Sequence, residues 1–340
     1  MEGERTEMSD TTTDHKAPDS NPRTTVASVE DSVSMLPPLG PREAFLLAYD
    51  RLTLLAHVVR RPAMIVAVIG STGSLVDARR IEDRRSLIIG RHTQCALRLP
   101  ESTVSLRHLA ALVCFEEGEP QIRLWDLNTG LHFTTEDGQQ NAAVIAAGPV
   151  YAAIGSYALW FVPAAGIPRV GWPARAEDAW KALPARVFID RRSPTPERKS
   201  EPWPAPWQDE EPTTSITCVA PPLLLRDDDE PEVAWGVLRL ERGDHRQERG
   251  VSAERLEQGI LVGRYERCGL PLSSENSEVS RVHLLLVRIG TEVWAIHTAS
   301  TNGLLRGKTA IEAAVLADVD SLSLGNDVTL RWRRAEHPDA

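Results

Sequence analysis

The chain has 340 residues, 42% of them hydrophobic, and a formal net charge of −10. That is room for about two domains of ~100–200 residues each, and the acidic balance excludes wholesale nucleic-acid binding, which needs a basic face against phosphates. Cys95, Cys114, Cys218 and Cys268 are scattered with no C-x-x-C pair, which excludes a clustered zinc site and a disulfide scaffold. No run approaches the ~20 apolar residues of a membrane span. No basic patch followed by an apolar stretch opens the sequence. A cytoplasmic protein with reduced thiols, no metal and no membrane contact is expected.

Residues 1–40 are mostly Thr, Ser, Asp and Glu with few large apolar side chains. Such a stretch buries too little surface to offset its ordering entropy and is expected to be a disordered tail. The segment 41–61 opens on Pro41 and spaces Phe45, Tyr49, Leu52, Leu55, Ala56 and Val59 along one helical face. Its apolar stripe needs a partner, either the flank of the next domain or a second copy of the chain. From 62 to 163 short runs rich in β-branched and aromatic residues ("AMIVAVIG", "RSLIIGR", "LAALVCF", "QIRLWDL", "AAVIAAG", "YALWFVP") alternate with Gly, Asp, Asn and Pro clusters. This spacing predicts an antiparallel β-sandwich. Nine of the 24 prolines then fall between 194 and 231, with Trp203, Trp207 and acidic runs, so 164–231 reads as a linker with a short helix near "RAEDAWKAL".

A second strand-rich block, 232–334, repeats the first and is followed by a short tail, 335–340. Gly90-Arg91 matches Gly263-Arg264, and Ser105-x-x-His108 matches Ser280-x-x-His283. "DLNTG" at 126–130 matches "ASTNG" at 299–303, and Ile154-Gly155 matches Leu324-Gly325. Four landmarks in one order predict two copies of one all-β domain.

Gly-Arg, Ser-Arg-x-His and Ser-Thr-Asn-Gly, in this order on a sandwich, resemble the forkhead-associated (FHA) domain. The resemblance is close over the second copy and weak over the first. It implies two FHA-like sandwiches that need no cofactor and catalyse nothing. It also implies a module that binds phosphothreonine-containing proteins, such as a Ser/Thr protein kinase or its substrates, through loops at one end. A phosphothreonine carries ~−1.5 to −2 of charge and three acceptor oxygens, which a guanidinium and short hydroxyl or amide donors match. In the second copy Arg264, Ser280, Arg281 and Thr301 fit that role. The resemblance gives Asn302 the ligand backbone and His283 a bracing task, while Gly263 and Gly303 permit close loop backbone. The rival reading is a scaffold whose β domains bind unphosphorylated partners.

Three further patterns bear on chemistry. Ser280 and His283 look like a hydrolytic pair, but residues three apart on an extended strand point to opposite faces. "GLLRGKT" at 303–309 is one residue short of a phosphate-binding loop and lacks the helix such a loop must lead into, so Gly307-Lys308 is expected to be a hairpin turn. In the first copy Arg91 and Ser105 are kept, but "SLRH" moves the arginine to Arg107, and "DLNTG" sets Thr129 opposite Asn302 with Asn128 one place early. That copy either holds phosphate weakly or serves packing alone. In the linker, Thr195, Thr213 and Thr214 are candidate phosphorylation sites, the last two placed to fold back on the second domain.

Overall fold

The computed structural model describes residues 36–58, 61–116, 119–164, 172–192, 213–222, 231, 233–272 and 278–335. Most of the expected N-terminal tail, Val59, Thr195 and the two linker tryptophans lie outside them. Among the described residues no helix is long and apolar enough to cross a membrane.

Each copy is a two-sheet sandwich. In the first, one sheet runs in the order Leu75–Glu82, Ala63–Ile69, Tyr157–Pro163, Val150–Ile154, Phe133–Thr135, Gln140–Asn141. The corresponding sheet of the second copy runs His245–Val251, Gly236–Arg242, Thr329–Arg334, Val319–Leu324, Leu304–Arg306, Thr309–Ala310. The facing sheets centre on Leu109–Glu116 in the first copy and Leu284–Ile289 in the second, each flanked by the strand that ends in Gly-Arg's glycine. Each sandwich closes around its own core, the first on residues such as Leu109, Val113, Phe133 and Phe161, the second on Leu238, Leu284, Leu304 and Trp332.

The first copy's facing sheet gains two strands from the segment expected to be a linker. Ala185–Asp190 and Thr213–Val219 pair in parallel, and Thr213–Val219 runs antiparallel to Ala143–Ala146. The alternation of Thr213–Val219 turns Thr214, Ile216 and Cys218 inward, and Ile216 and Cys218 join the first core. Prolines 184, 212 and 221 flank these strands instead of interrupting them, so the ladder that closes the sheet edge is intact. This corrects the reading of Thr213 and Thr214 as flexible linker sites: both belong to a strand of the first sandwich, and only Thr213 is exposed. Thr214 is 1% exposed, with its hydroxyl packed against Gly148, and Thr213 opens the strand.

Helix α1 (Pro41–His57) lies on the outer face of the first copy's other sheet, so its stripe meets its own domain. Phe45 meets the Trp160 ring edge-on at 5.5 Å, and Trp160 Nε1 donates to the Pro41 carbonyl at 2.8 Å, fixing where the helix starts. Helix α2 (Ala176–Lys181) packs beside it through Ala179 and Trp180. A third helix, α3 (Ala253–Gln258), which the periodicity did not suggest, is capped by Ser252 and places Leu256 in the second core.

The two sandwiches pack face to face. Ala110, Leu112 and Trp125 of the first share one apolar cluster with Leu261, Leu285, Val287, Trp294 and Ile296 of the second. Alternation along one strand serves two cores: Leu284 and Leu286 point into the second sandwich, Leu285 and Val287 into the junction. A fully buried Val, Leu or Ile is worth ~1.5–3 kcal/mol, so exposing this face would be strongly unfavourable. Arg84 of the first copy lies over the Trp294 ring at 4.8 Å and pairs with Glu292 at 2.9 Å.

Candidate functional site

The facing sheets bring both sets of landmark loops to the domain junction. In the second copy, strand Ile260–Gly263 ends at a glycine that no other residue could replace without movement. A Cβ at Gly263 would stand 2.2 Å from the Arg281 carbonyl oxygen. The next residue, Arg264, donates from its backbone to the Ser280 carbonyl at 3.1 Å and from Nε to the Val279 carbonyl. Its guanidinium is thus half-buried and held in place rather than free in a loop.

Ser280 is not the start of a strand. Residues 278–283 turn, and the strand begins only at Leu284. The turn brings Ser280 and His283 together, against the expectation for extended backbone, but through the main chain: Ser280 N–H donates to His283 Nδ1 at 3.2 Å. The Ser280 hydroxyl instead accepts the Thr301 N–H at 3.2 Å. With Nδ1 accepting, His283 carries its proton on Nε2, which faces the Gly303 carbonyl at 2.8 Å and Ser300 Oγ at 2.9 Å. His297 Nε2 accepts the Ser300 N–H at 2.8 Å and lies 2.7 Å from its hydroxyl. Burial, the largest cause, pushes both imidazoles down to about 4, so both are neutral near pH 7. His283 is fully buried and Ser300 3% exposed. Their hydroxyl–imidazole contact is out of reach of a substrate and braces the loop.

The braced loop displays Thr301 and Asn302, both exposed, and Asn302 Nδ2 donates to the Glu278 carbonyl at 2.8 Å, tying this loop to the one carrying Ser280. Arg281 is exposed beside them. Arg264, Ser280, Thr301 and Asn302 are therefore carried by three loops at one end of the sandwich, those of Arg264 and of Asn302 each bonded to the one that holds Ser280. Further along, Gly307-Lys308 forms a two-residue turn between Leu304–Arg306 and Thr309–Ala310, with no helix after it.

The first copy repeats the frame of the first two loops. Arg91 N–H donates to the Ser105 carbonyl at 2.9 Å and its Nε to the Val104 carbonyl at 3.1 Å. Ser105 N–H donates to His108 Nδ1 at 3.2 Å. A Cβ at Gly90 would stand 2.5 Å from the Leu106 carbonyl oxygen. Cys95 and Cys268, four residues after each arginine, donate to the Leu106 and Arg281 carbonyls, both at 3.3 Å.

The third loop departs from the sequence alignment by two residues. Leu127 N–H donates to the His108 carbonyl as Thr298 N–H does to His283. Asn128 and Ala299 then both take positive φ, 60° and 55°. Thr129 N–H donates to Asp126 Oδ1 at 2.7 Å, as Ser300 N–H does to His297. Asn128 therefore matches Ala299 and Thr129 matches Ser300. Counting on to Phe133 and Leu304, which open the next strands, the exposed Leu131 stands in the place of Asn302. Asn128 is turned to the other sandwich, donating to the Arg267 carbonyl. Repeated glycines invited the misalignment, since Gly130 and Gly303 share a φ of 74° without sharing a place.

Arg107 is where sequence reasoning missed most. One place later than Arg281's counterpart, it leaves its own sandwich and enters the second. Its Nε and Nη2 donate to the Ala299 carbonyl at 2.9 and 2.6 Å, and Nη2 lies 3.5 Å from Ser280 Oγ. Gln94, with its amide oriented to satisfy both ends, donates to the Ala299 and Ser300 carbonyls at 3.2 and 3.1 Å. The first copy thus holds the second copy's loop from outside.

Among known proteins, the FHA domain family model matches residues 260–325. No curated protein matches the chain. Solved structures similar to it include FHA-1 of Rv1747 from Mycobacterium tuberculosis, at 22% identity over 30% of this chain and 100% of that one, with a TM-score of 0.25. Mycobacterium tuberculosis EmbR, solved with a low-affinity phosphopeptide, is 22% identical over 31% of this chain and 26% of its own, with a TM-score of 0.25. The FHA domain of CT664 from Chlamydia trachomatis is 13% identical over 29% and 96%, with a TM-score of 0.26. The family match falls on the sandwich that carries Arg264, Ser280, His283 and Asn302, and that part of the chain is an FHA domain, preceded by a divergent sandwich built on the same frame.

Proposed function

We propose that this protein is a non-enzymatic adaptor that binds phosphothreonine-containing proteins through its second sandwich, in the service of a Ser/Thr kinase. One observation carries the reading: in an FHA domain, Arg264, Ser280, Thr301 and Asn302 stand on three loops tied to one another, with the charge and donors a phosphate ester needs. Arg264 supplies planar charge-assisted bonds, the Ser280 hydroxyl and Thr301 a short polar wall, and Arg281 further positive charge. Asn302, held by its bond to Glu278, is placed for the ligand main chain. Gly263, His283 and Gly303 keep the loops in register and touch no ligand.

Phosphate dependence separates this adaptor from a scaffold with phosphate-independent contacts. Full-length protein is mixed with a degenerate peptide library carrying one fixed phosphothreonine, before and after phosphatase treatment. Retention that disappears on dephosphorylation is expected. Equal retention of both forms would favour the scaffold.

A further inference from the structure

A cleft of about 230 Å³ opens at the domain junction, on the first copy's side of Arg107. Arg91, Ser105, Arg107 and Asn128 line it from the first sandwich, and Tyr265 and Arg281 from the second. Three arginines thus line one small space, and among the described residues no carboxylate does. Like charges gathered this closely repel one another, a cost that a bound anion would relieve. Among the described residues none of the three arginines forms a salt bridge. Arg91 and Arg107 hydrogen-bond carbonyl oxygens, apart from the long contact of Arg107 with Ser280, so no described carboxylate pairs with their charge. Burial chiefly, and then the neighbouring Arg281, press the pKa of Arg107 down, as expected where like charges are crowded. An arginine nonetheless stays protonated.

The cleft is not a second copy of the FHA site. The first sandwich supplies an arginine and a serine on the shared frame, but Leu131 replaces the asparagine that would hold a peptide main chain. In exchange, the second sandwich contributes Arg281. The site is built for a phosphate group and not for the peptide around it. It also adjoins the phosphothreonine site proposed above. Arg107 lines the cleft while its guanidinium reaches Ala299 and Ser280, and Arg281 follows Ser280 in the chain.

The geometry points to a composite phosphate site, shared by the two sandwiches, that takes the second phosphate of a doubly phosphorylated peptide segment whose first phosphothreonine is held by the FHA domain. This rests on the proposed phosphothreonine reading. The FHA loops supply orientation, and the cleft adds charge-assisted bonds to a phosphate a short way along the same segment.

The test uses full-length protein and two degenerate peptide libraries, one with a single fixed phosphothreonine and one with a second at each of several spacings. At one spacing or more, the doubly phosphorylated peptides should bind at least about tenfold tighter, the scale of one or two hydrogen bonds to a charged group. Arg91→Ala, and independently Ser105→Ala, should remove that gain and leave singly phosphorylated affinity unchanged. Arg91→Lys should restore part of it. The proposal is overturned if no spacing gives a gain, if the gain survives both alanine variants, or if inorganic phosphate at millimolar concentration abolishes the gain without any effect of Arg91→Ala. Failure of the underlying reading looks different, because the singly phosphorylated library would then not bind at all.

Discussion

Gly90-Arg91 and Gly263-Arg264 leave their strands with the same backbone bonds, and Ser105 and Ser280 meet their histidines at the same 3.2 Å. Beyond that frame the two loop ends diverge. The second copy braces its third loop with His297 on Ser300 and displays Asn302. The first braces the same place with Asp126 on Thr129 and displays Leu131. Of the two bracing histidines it keeps the equivalent of His283 alone, His108, buried 3.8 Å from the Asp126 carboxylate. The frame that holds a phosphate loop and the side chains that grip a peptide are thus separable. One sandwich keeps both, and the other keeps the frame and lends a side chain to its neighbour.

The frame itself should be the most sensitive to change. Gly263→Ala and Gly90→Ala each force a Cβ against a carbonyl oxygen of a neighbouring loop, at 2.2 and 2.5 Å. Each is expected to cost ~3 kcal/mol of stability, measurable by denaturant unfolding. Only Gly263→Ala should also abolish phosphopeptide binding at temperatures where the protein remains folded. If Gly90→Ala abolished it equally, the two loop ends would not be separable.

Arg264→Ala should lower the affinity for singly phosphorylated peptides by about ten- to a hundredfold, the worth of one hydrogen bond to a charged group at ~1.5–3 kcal/mol. Arg91→Ala should leave it unchanged. Calorimetry on the full chain reads both, and equal losses would erase the asymmetry.

The histidines sharpen the comparison through pH. Unfolded imidazoles bind protons as the pH falls below ~6.5, whereas His283 and His297 in the fold bind them only near 4. Between those values the unfolded chain holds more protons, so stability is full above about pH 6.5 and declines as the pH falls toward 4. Thermal melts from pH 7.5 to 4.5 should show this decline, and His297→Gln, which removes one of the two groups from the second sandwich, should make it shallower. A melting temperature independent of pH over this range would contradict the buried, neutral brace.

The smallest effect crosses the junction. Arg107→Ala removes a first-sandwich side chain from the second sandwich's loop and is expected to weaken singly phosphorylated peptide binding about three- to tenfold. Unchanged affinity in that variant would reduce Arg107 to packing.

The paired sandwiches were legible because short β-branched runs and loop glycines leave a local signal. The same strands also signal how they stack. "AMIVAVI" is buried along its whole length, because α1 covers its outer face. "LLLVRI" is nearly as buried, because the other sandwich does. "GVLRLER", on an outer sheet, alternates instead. Continuous apolar runs mark strands buried on both faces, a signal present in these runs beyond the strand assignment drawn from them. Arg264, Ser280, His283 and Asn302 were visible as an ordered set. Cys95 and Cys268, at equal distances from their arginines, were a further landmark that went unused. The strands Ala185–Asp190 and Thr213–Val219 were hidden by the prolines around them. The role of Arg107 was not readable at all. Its partner Ala299 lies 192 residues away, and only the docking of two whole sheets brings them together.

The junction is made of exchanged contacts: Gln94 reaches the Ala299–Ser300 backbone, while Asn128 reaches that of Arg267, the residue matching Gln94. Such reciprocity is the mark of an isologous dimer, here fused into a single polypeptide. Fusion frees the pairing from protein concentration, since a tethered partner is present at an effective ~millimolar level. It also frees the two halves from each other. In a dimer of identical chains, an arginine at position 107 would appear twice and face its own charge across the axis. Here its counterpart is Val282, so the arginine enters the neighbouring loop without meeting an equivalent arginine, an asymmetry closed to a dimer of identical chains.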